Sequence, residues 1–386
     1  MKFTVHKSAL MDKLTPAMGS VSTQNTITSI EGILLETVDD GKIRLSTYDM
    51  NKGVRALVEP ISIEREGSYI VNAKRFYATL RVLPDDEITI EVDDKLNMNV
   101  TSGKSSFSMF VMRGEDFPNL PDLITDRGFV IRARLLRSLI ERVMHSVAVQ
   151  DTRAMLCGAF FRIHGDRIDA VSCDSYTLSV CHEKSEIKTI GNVEETYSFI
   201  IPGHALGEII RLLADADEDE TVNFYLSRKH AIIRKEEIVF FTRTIDAEYI
   251  DYERIMPKDN DNIVTLDRER LLTGLERANI IAEEKIQGSG RSYVKLCLDE
   301  QRLTLTSSSV NGKVYDEMDC VHEGDALEIG FNCRYLINCV RAATGENLRM
   351  SFKSATSAVT MEPTERNEDS SFFYMVLPVR MSGQER

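Results

Sequence analysis

Three short stretches of the sequence carry residue types that bind phosphate or metal ions in other proteins. "SGKSS", at 102–106, matches the end of a phosphate-binding loop, but that motif needs a glycine where Met98 stands. It also needs a helix after the loop, and here the strand-like "FSMFVM" follows. The acidic run "DADEDE" at 215–220 is contiguous, which is typical of a solvated loop, and "GSGR" at 288–291 indicates a flexible turn. None of the three predicts a catalytic site.

The cysteines and histidines form no recognisable catalytic or metal-binding arrangement. The seven cysteines include no CxxC pair, and the seven histidines include no HExxH spacing. Scattered cysteines in odd number are typical of free thiols in a reducing compartment. No apolar run approaches the roughly 20 residues of a membrane span, and the start "MKFTVHKSAL" lacks the apolar region of a secretory signal. We therefore predict a cytoplasmic protein without a metal or cofactor.

The charge of the chain at first argues against a nucleic-acid partner. The 386 residues carry a net charge of −14, with 42% hydrophobic and 28% charged residues, which is typical of a globular protein of two or three domains. Binding to phosphates depends on Lys and Arg. A local basic surface can nevertheless exist within an acidic total, so the positions of the positive residues decide the question.

The sequence repeats itself at an interval of 130 residues. "VNAKRFYATLRVL" begins at 71, "IPGHALGEIIRLL" at 201 and "FNCRYLINCVRAA" at 331. Each segment follows a β-rich stretch and precedes a polar turn and another strand. A second helical segment opens each copy, at "FTVHKSALMDKL", "FVIRARLLRSLI" and "IVTLDRERLLTGL", and alternating strands joined by hairpin turns follow it.

These repeats predict an α+β fold of three tandem domains, each with two helices and an antiparallel sheet. The period is too long for a solenoid. The polar, turn-rich segments "DLITDRG" and "MPKDNDN" indicate the boundaries. We predict domains at 1–127, 128–258 and 259–381, followed by a tail at 382–386.

Basic residues recur on one face of the second helix of each copy. At about 100° per residue, Lys74 and Arg81 lie within about 20° of each other, opposite an apolar face. Arg334 and Arg341 repeat this arrangement, and the second copy keeps Arg211. Long basic side chains that merely solubilise a helix are the alternative explanation. However, the six predicted helices carry a charge of +9 in total, which leaves −23 for the rest of the chain. Solubility alone does not require positive charge on the helices and negative charge elsewhere.

Several motifs in this three-domain pattern resemble the bacterial replicative sliding clamp, the beta subunit of DNA polymerase III. They are the start "MKFTV", "FPNLPDL" at 117–123, "DYERIMPK" at 251–258, "EIGFNCRYL" at 328–336 and the terminal "YMVLPVRM". The resemblance covers residues 1 to about 381. It implies a non-catalytic processivity factor that forms a head-to-tail homodimeric ring of six domains. In that ring two helices from each domain face double-stranded DNA, which is held without sequence preference.

The resemblance also implies particular DNA-facing positions, which are Gln24, Lys74, Gln150, Ala154 and Met155. An arginine is common in the family where Gln24 stands, and a tyrosine pair where Ala154 and Met155 stand. The remaining DNA-facing candidates are basic helix residues: Arg81, Arg137, Arg211, Arg334 and Arg341.

Ring closure and partner binding are implied in the same way. An edge strand of the first domain pairs with the third domain of the other subunit, and Phe107 packs on Ile280 and Ile281; an intrachain core is the alternative. Partners carry a short peptide that enters a cleft walled by the terminal strand, although that strand also fits a role in its own core. The cleft positions are Leu156, Cys173, Ser175, Tyr176, Thr177, Leu178, Ile250, Arg254, Ile255, Met375, Val376, Leu377, Pro378, Val379 and Arg380.

The cleft is where this sequence differs most from the family. The usual stretch reads Thr-Asp-Gly-His-Arg-Leu, and here it is "CDSYTL" at 173–178; Ile250 stands where a proline is usual. We expect an apolar floor with a changed preference for the polar end of the peptide. The implied partners are the replicative polymerase, an ATP-dependent clamp loader, and other repair and polymerase proteins that carry the peptide.

Two other functions are alternatives to a processivity factor that encircles DNA. One is an enzyme acting on nucleic acid, with a metal held by Asp217 and Asp219 of the acidic run. The other is a scaffold of the same fold that binds peptides and never encircles DNA.

Overall fold

The computed structural model describes seven stretches of the chain. They are residues 1–22, 27–84, 86–191, 196–282, 293–309, 311–365 and 367–381. Gln24, the turn at 288–291 and the tail at 382–386, for which predictions were made above, lie outside these ranges.

The helices follow the predicted order, with two long helices in each repeat and one short helix after the second. Their bounds are α1 Lys7–Ala17, α2 Ala73–Val82, α3 Ala133–Val143, α4 Gly203–Leu212, α5 Tyr252–Ile255, α6 Arg268–Ala282 and α7 Cys333–Ala342.

Equivalent helices of the first and third repeats begin in the same way. The side chain of Asn72 accepts a hydrogen bond from the backbone N–H of Arg75 at 3.1 Å, and Asn332 accepts one from the N–H of Arg334 at 3.1 Å. A side-chain oxygen at this position satisfies a backbone donor that the first helical turn leaves unpaired. The repeated "VNAKRF" and "FNCRYL" therefore fix where α2 and α7 start.

The strands are short, and their apolar residues alternate with polar ones. Their bounds are β1 Lys2–His6, β2 Gly32–Thr37, β3 Ile43–Tyr48, β4 Lys52–Val58, β5 Ser62–Arg65, β6 Ser68–Asn72, β7 Glu87–Val92, β8 Asn97–Ser102, β9 Ser105–Arg113, β10 Gly128–Arg132, β11 Gly158–His164, β12 Arg167–Cys173, β13 Thr177–Lys184, β14 Lys188–Ile190, β15 Thr196–Pro202, β16 Thr221–Leu226, β17 His230–Lys235, β18 Ile238–Arg243, β19 Asn262–Asp267, β20 Val294–Asp299, β21 Arg302–Ser308, β22 Lys313–Asp319, β23 Val321–Glu323, β24 Leu327–Phe331, β25 Asn347–Phe352, β26 Val359–Pro363 and β27 Ser370–Val376.

The chain divides into two compact units, and neither coincides with a single repeat. Unit 1 comprises Met1–Arg137, Ile187–Glu194 and His204–Thr244. Its fourteen strands form one antiparallel sheet in the order β14-β10-β16-β17-β18-β4-β3-β2-β6-β9-β8-β7-β1-β5. Strand β4 of the first repeat pairs with β18 of the second, with Val54 opposite Phe240. The sheet therefore continues across the predicted boundary between the first two domains.

Unit 2 comprises Ser138–Glu186, Glu195–Gly203 and Ile245–Arg386. Nine of its strands form a sheet in the order β15-β11-β12-β13-β27-β26-β25-β19-β23, and four form a second sheet in the order β22-β21-β20-β24. The terminal strand β27 pairs with β13, with Leu178 opposite Met375. Here, too, the sheet continues from one repeat into the next. The domain boundaries at 127 and 258 remain predictions.

The helix pairs of the first and third repeats pack together and bury their apolar faces. In unit 1, α1 packs on α2 and on β4, and its Leu10 and Leu14 are fully buried. In unit 2, α6 packs on α7, whose Leu336 and Val340 are fully buried. Burying one stripe of each helix leaves the opposite stripe in water, and the basic residues lie there.

Candidate partner cleft and basic helix faces

The exposed face of α2 carries the two basic residues predicted from the helical wheel. Lys74 and Arg81 are exposed, whereas Phe76 and Leu80 on the opposite side are fully buried. The Arg81 guanidinium lies 6.0 Å from the centroid of the Tyr77 ring, a cation–π distance. Within the described parts of the chain neither Lys74 nor Arg81 forms an ion pair, so both charges are available to an anionic ligand.

The basic residues of the second repeat in unit 1 are already engaged. The Arg211 guanidinium lies 3.1 Å from the Glu208 carboxylate, which also accepts from the Lys52 ammonium at 2.7 Å. The Arg137 guanidinium donates to the Ala214 carbonyl oxygen at 2.9 Å. Arg211 is mostly exposed all the same. Its positive charge is partly offset by Glu208, so we expect it to attract phosphate less than Lys74 does.

Unit 2 presents Arg334 and Arg341 on the exposed face of α7. The Arg341 guanidinium lies 2.8 Å from the Glu276 carboxylate of α6, and both side chains are about half exposed. Exposed pairs of this kind contribute about 0–1 kcal/mol, so a phosphate can compete for the arginine.

One basic helix residue that the charge count included does not lie on the surface. Arg142 near the end of α3 is 5% exposed and forms an ion pair with Glu183 of β13. The count of +9 therefore overstates the charge that the helices offer to solvent. The helical wheel alone did not reveal this, because Glu183 is distant in sequence.

The loop positions implied by the family differ in accessibility. Gln150 and Ala154 are exposed, whereas Met155 is half-buried and packs against the apolar cluster of unit 2 described next.

An apolar cluster in unit 2 brings together residues that lie far apart in the sequence. Leu156, Cys173, Leu178 and Met375 are buried side by side, and Ile250 packs against them. Burial raises the pKa of the Cys173 thiol, so it stays neutral and acts as an apolar wall. The family resemblance implied an apolar floor at these positions, and the structure gathers them in one place. We call this group, with the exposed residues around it, the partner cleft, after the role that the family resemblance implies for it.

The rim of the partner cleft is built from exposed side chains. Tyr176 is 54% exposed, and its ring stacks on that of Tyr335 with centroids 5.7 Å apart. Leu377 is 39% exposed, and its backbone N–H donates to the Tyr176 carbonyl oxygen at 2.9 Å. The N–H of Val379 donates to the Gly330 carbonyl oxygen at 2.8 Å. These bonds hold residues 377–379 against the cleft, with Pro378 half-buried between them.

The turn at 173–178 keeps a backbone conformation that glycine favours. Ser175 has a φ of +77°, in the left-handed region. The Asp174 carboxylate accepts from the backbone N–H groups of Tyr176 and Thr177 at 2.9 and 2.6 Å, which stabilises the turn. The Ser175 hydroxyl accepts from the Arg153 guanidinium at 2.5 Å. A serine in place of the usual glycine thus adds a hydrogen bond to Arg153 at the edge of the cleft.

Two predicted cleft residues face inward. Thr177 is 2% exposed and donates to the Ser146 hydroxyl at 2.8 Å, and Val376, opposite it on β27, is fully buried. They support the cleft through strand pairing. Three other predicted cleft residues are exposed: Arg254 and Ile255 of α5, and Arg380 after β27. The Arg254 guanidinium lies 2.9 Å from the Asp251 carboxylate.

A buried polar group lies beneath the strand pair. The Nε2 atom of His145 is 3.0 Å from the Ser179 hydroxyl and 3.5 Å from the Cys339 thiol. The Tyr374 ring meets the imidazole edge-on at 5.3 Å. Burial lowers the pKa of His145 to about 4, so the ring is neutral at physiological pH. Sequence reasoning missed His145 and Tyr335, because no motif links them to their partners.

The residues predicted to close a dimer carry exposed apolar surface. Phe107 on β9 is 38% exposed, and Ile280 near the end of α6 is 72% exposed. Residues 105–110 of β9 pair with β8 on one side only, and β22 ends its four-stranded sheet. An unpaired strand edge can accept another strand.

The described residues contain no cluster of three or more side chains suited to a metal ion, and no helix among them is long and apolar enough to cross a membrane. Repeated helix pairs over antiparallel sheets, exposed basic helix faces and an apolar cleft define a DNA clamp fold.

Three models of the DNA polymerase III beta subunit match the chain in succession, the N-terminal domain at residues 1–121, the central domain at 130–251 and the C-terminal domain at 253–380. The chain belongs to this family, the bacterial sliding clamps, and is a non-catalytic processivity subunit of the polymerase holoenzyme. The predicted family and three-domain fold are confirmed.

Relatives match over their whole length. The beta sliding clamp of Escherichia coli K12 is 29% identical over 383 residues, which cover 99% of this chain and all of that protein. The Thermotoga maritima beta subunit has a TM-score of 0.87 at 26% identity, and the match covers 99% of this chain and all of that one. A Pseudomonas aeruginosa sliding clamp solved with griselimycin has the same TM-score, identity and coverage. Family membership rules out the alternative of an enzyme acting on nucleic acid with a metal held by Asp217 and Asp219.

Proposed function

We propose that two copies of this chain close head to tail into a six-domain ring around duplex DNA and tether the replicative polymerase to it. One observation carries the proposal. In the first and third repeats, exposed basic residues two turns apart, Lys74 with Arg81 and Arg334 with Arg341, stand opposite a buried helix face. Such surfaces attract phosphates without reading bases, so the ring moves along DNA while remaining on it.

Ring closure is supported by the unpaired edges of β9 and β22. Strand β22 has seven residues, mostly exposed, whereas edge strands are normally kept very short. Pairing β9 of one copy with β22 of the other would continue one sheet across the interface. Phe107 would then be covered by Ile280 and Ile281 of the partner. Two such interfaces, related by a twofold axis, close a dimer.

Partner proteins are held on the ring through the partner cleft. An apolar floor with an aromatic and basic rim suits a short peptide with apolar anchors and a polar end. We propose that the replicative polymerase, an ATP-dependent clamp loader, and repair and polymerase proteins that carry such a peptide bind here. The Pseudomonas aeruginosa clamp binds griselimycin, and we expect this chain to bind it as well. We propose that the protein acts in the bacterial cytoplasm.

The test separates encirclement from ordinary binding. The protein is loaded on nicked circular DNA with a clamp loader, freed from unbound protein by gel filtration, and the DNA is then cut once. A ring slides off the new ends, so the protein should leave the DNA fraction after cutting and stay with the uncut circle. Equal retention on cut and uncut DNA would contradict encirclement, and failure to be retained on either would favour the scaffold that binds peptides only. A Phe107→Asp variant, unable to close, should not be retained on the circle.

A further inference from the structure

A second cavity lies in unit 2, between the segment that follows α5 and strands β25, β26 and β27. It has a volume of about 420 Å³. Met256 and Phe373 form its apolar wall, and both also pack against the apolar cluster of the partner cleft. Lys258, Asn260 and Arg349 supply polar groups. We call it the Arg349 cavity.

Arg349 lines this cavity and has an unused donor. Its Nε atom is buried without a hydrogen-bond partner. Within the described residues its guanidinium forms no ion pair, although Glu362 lies directly opposite it on β26. A buried donor that bonds to nothing costs free energy, and a ligand acceptor would remove that cost.

Asn260 provides a fixed acceptor in the same cavity. Its side-chain Nδ2 donates to the backbone oxygens of Ser351 and Ala358, both at 2.9 Å. These two bonds fix the orientation of the carboxamide, and its Oδ1 atom is buried without a hydrogen-bond partner. Two residues of the cavity lining thus hold an unused buried polar atom each, a donor in Arg349 and an acceptor in Asn260.

The charges around the cavity favour an anion. Glu253 also lines the cavity; its carboxylate is 3.4 Å from the Arg162 guanidinium, which is itself 2.9 Å from the Asp169 carboxylate. Lys258 and Arg349 form no ion pair within the described residues, and Glu362 is the remaining acid of the lining. Lys258 and Arg349, the two cations of the lining, are therefore both available to an anionic ligand.

We propose that the Arg349 cavity binds an acidic peptide segment of a partner protein, at a site separate from the partner cleft. A carboxylate accepts from the Arg349 guanidinium, the interaction for which arginine is best suited. A backbone N–H of the same segment donates to the Asn260 Oδ1 atom, and Phe373 covers the apolar part of the segment. Binding at this cavity requires neither DNA nor ring closure.

The test uses the full chain with its methionine methyl groups labelled with ¹³C, so that Met256 reports on the cavity. The probes are acetyl-Gly-Asp-Gly-amide and its neutral isostere acetyl-Gly-Asn-Gly-amide. We expect a saturable shift of the Met256 methyl signal with the Asp peptide. Its affinity should fall at least tenfold with the Asn peptide, and at least tenfold in Arg349→Gln. Arg302→Gln, which removes an exposed strand arginine elsewhere in unit 2, is the matched control and should bind as the wild type does.

Three results would overturn the proposal: no saturable Met256 shift, equal affinity for the two peptides, or unchanged binding by Arg349→Gln. If Arg349→Gln does not fold, as judged by its urea midpoint, Lys258→Gln together with the Asp and Asn peptides decides the matter. A Tyr176→Ala variant should bind the Asp peptide normally. Loss of binding there would place the peptide in the partner cleft and reject the separate site.

Discussion

The rings of Tyr176 and Tyr335 stack with their centroids 5.7 Å apart and their planes 18° from parallel, at the rim of the partner cleft. Tyr176 occupies a position where a histidine is usual in the family, so the stack distinguishes this chain at the place where a peptide's polar end would lie. The hydroxyl-bearing rings offer an apolar face with polar edges. The stack should therefore affect which peptides the partner cleft binds.

Removing the stack should change which peptides bind best. We expect Tyr176→Ala to alter the ranking of affinities in a panel of partner peptides that differ at their polar end, as measured by fluorescence anisotropy. In a double-mutant cycle with Tyr335→Ala, the coupling free energy for the preferred peptide should be about 0.5–1.5 kcal/mol. An unchanged ranking, or additive single effects, would count against a role of the stack in selection.

Neutralising the exposed face of α2 should weaken the dependence of DNA affinity on salt. Each phosphate contact contributes roughly 0.9 to the slope of log K against log salt. We expect Lys74→Gln with Arg81→Gln to reduce that slope by about 1 to 2 on a short duplex. Arg211→Gln is the matched control and should have a smaller effect, since Glu208 already offsets that charge. Equal slopes for the double variant and the wild type would show that α2 does not contact DNA.

A charge at the predicted interface should separate the subunits. Phe107→Asp or Ile280→Asp would place a carboxylate in an apolar contact, which costs several kcal/mol when no partner neutralises it. We expect the dimer dissociation constant to rise at least a hundredfold in analytical ultracentrifugation. Ile61→Asp, which alters an exposed apolar residue of unit 1 outside the proposed contact, should leave the dimer intact. Dimers of normal affinity in both interface variants would refute this pairing.

Acid should destabilise the chain through His145. Its folded pKa of about 4 lies below the ordinary value of 6.5, so the unfolded state takes up the proton first. Stability from this residue is complete above pH 6.5 and is lost as the pH falls towards 4, by about 3 kcal/mol in all. Urea unfolding at several pH values should show this loss in the wild type, beyond that in His145→Gln. Parallel pH profiles for the two proteins would contradict the prediction.

The buried ion pair between Arg142 and Glu183 predicts an asymmetric response to mutation. Glu183→Gln leaves a buried cation without its partner, and we expect it to lower the free energy of unfolding by about 3 kcal/mol. Replacing both residues, as in Arg142→Met with Glu183→Leu, should recover most of that loss, since no charge remains buried. Urea denaturation measures both values. A double variant less stable than Glu183→Gln would show that the charges themselves are required.

Much of the fold followed from periodicity. The helix predicted in the segment that begins at 71 is observed at Ala73–Val82, and the one in the segment that begins at 331 is observed at Cys333–Ala342. Apolar residues at helical spacing and a polar turn after them are local signals, and they recur at a constant offset. The positions that form the floor of the partner cleft came from the family resemblance, and the structure brings them into one cluster.

What the sequence did not reveal depends on contacts between distant residues. The burial of Arg142 is set by Glu183, 41 residues later, and the stacking of Tyr176 on Tyr335 joins different repeats. The Arg349 cavity arises because the segment after α5 lies beside strands from the end of the chain. No local pattern encodes these arrangements, since each requires the path of the chain between its members.

The pairing of β13 with β27 also has a consequence for biosynthesis. Strand β13 ends at Lys184, and its neighbour in the sheet begins at Ser370, nearly two hundred residues later. While the ribosome is still making the intervening segment, one long edge of β13 has no strand to pair with. The nine-stranded sheet can therefore be completed only when the last part of the chain emerges, and nascent chains halted before residue 370 should be captured by chaperones at this edge.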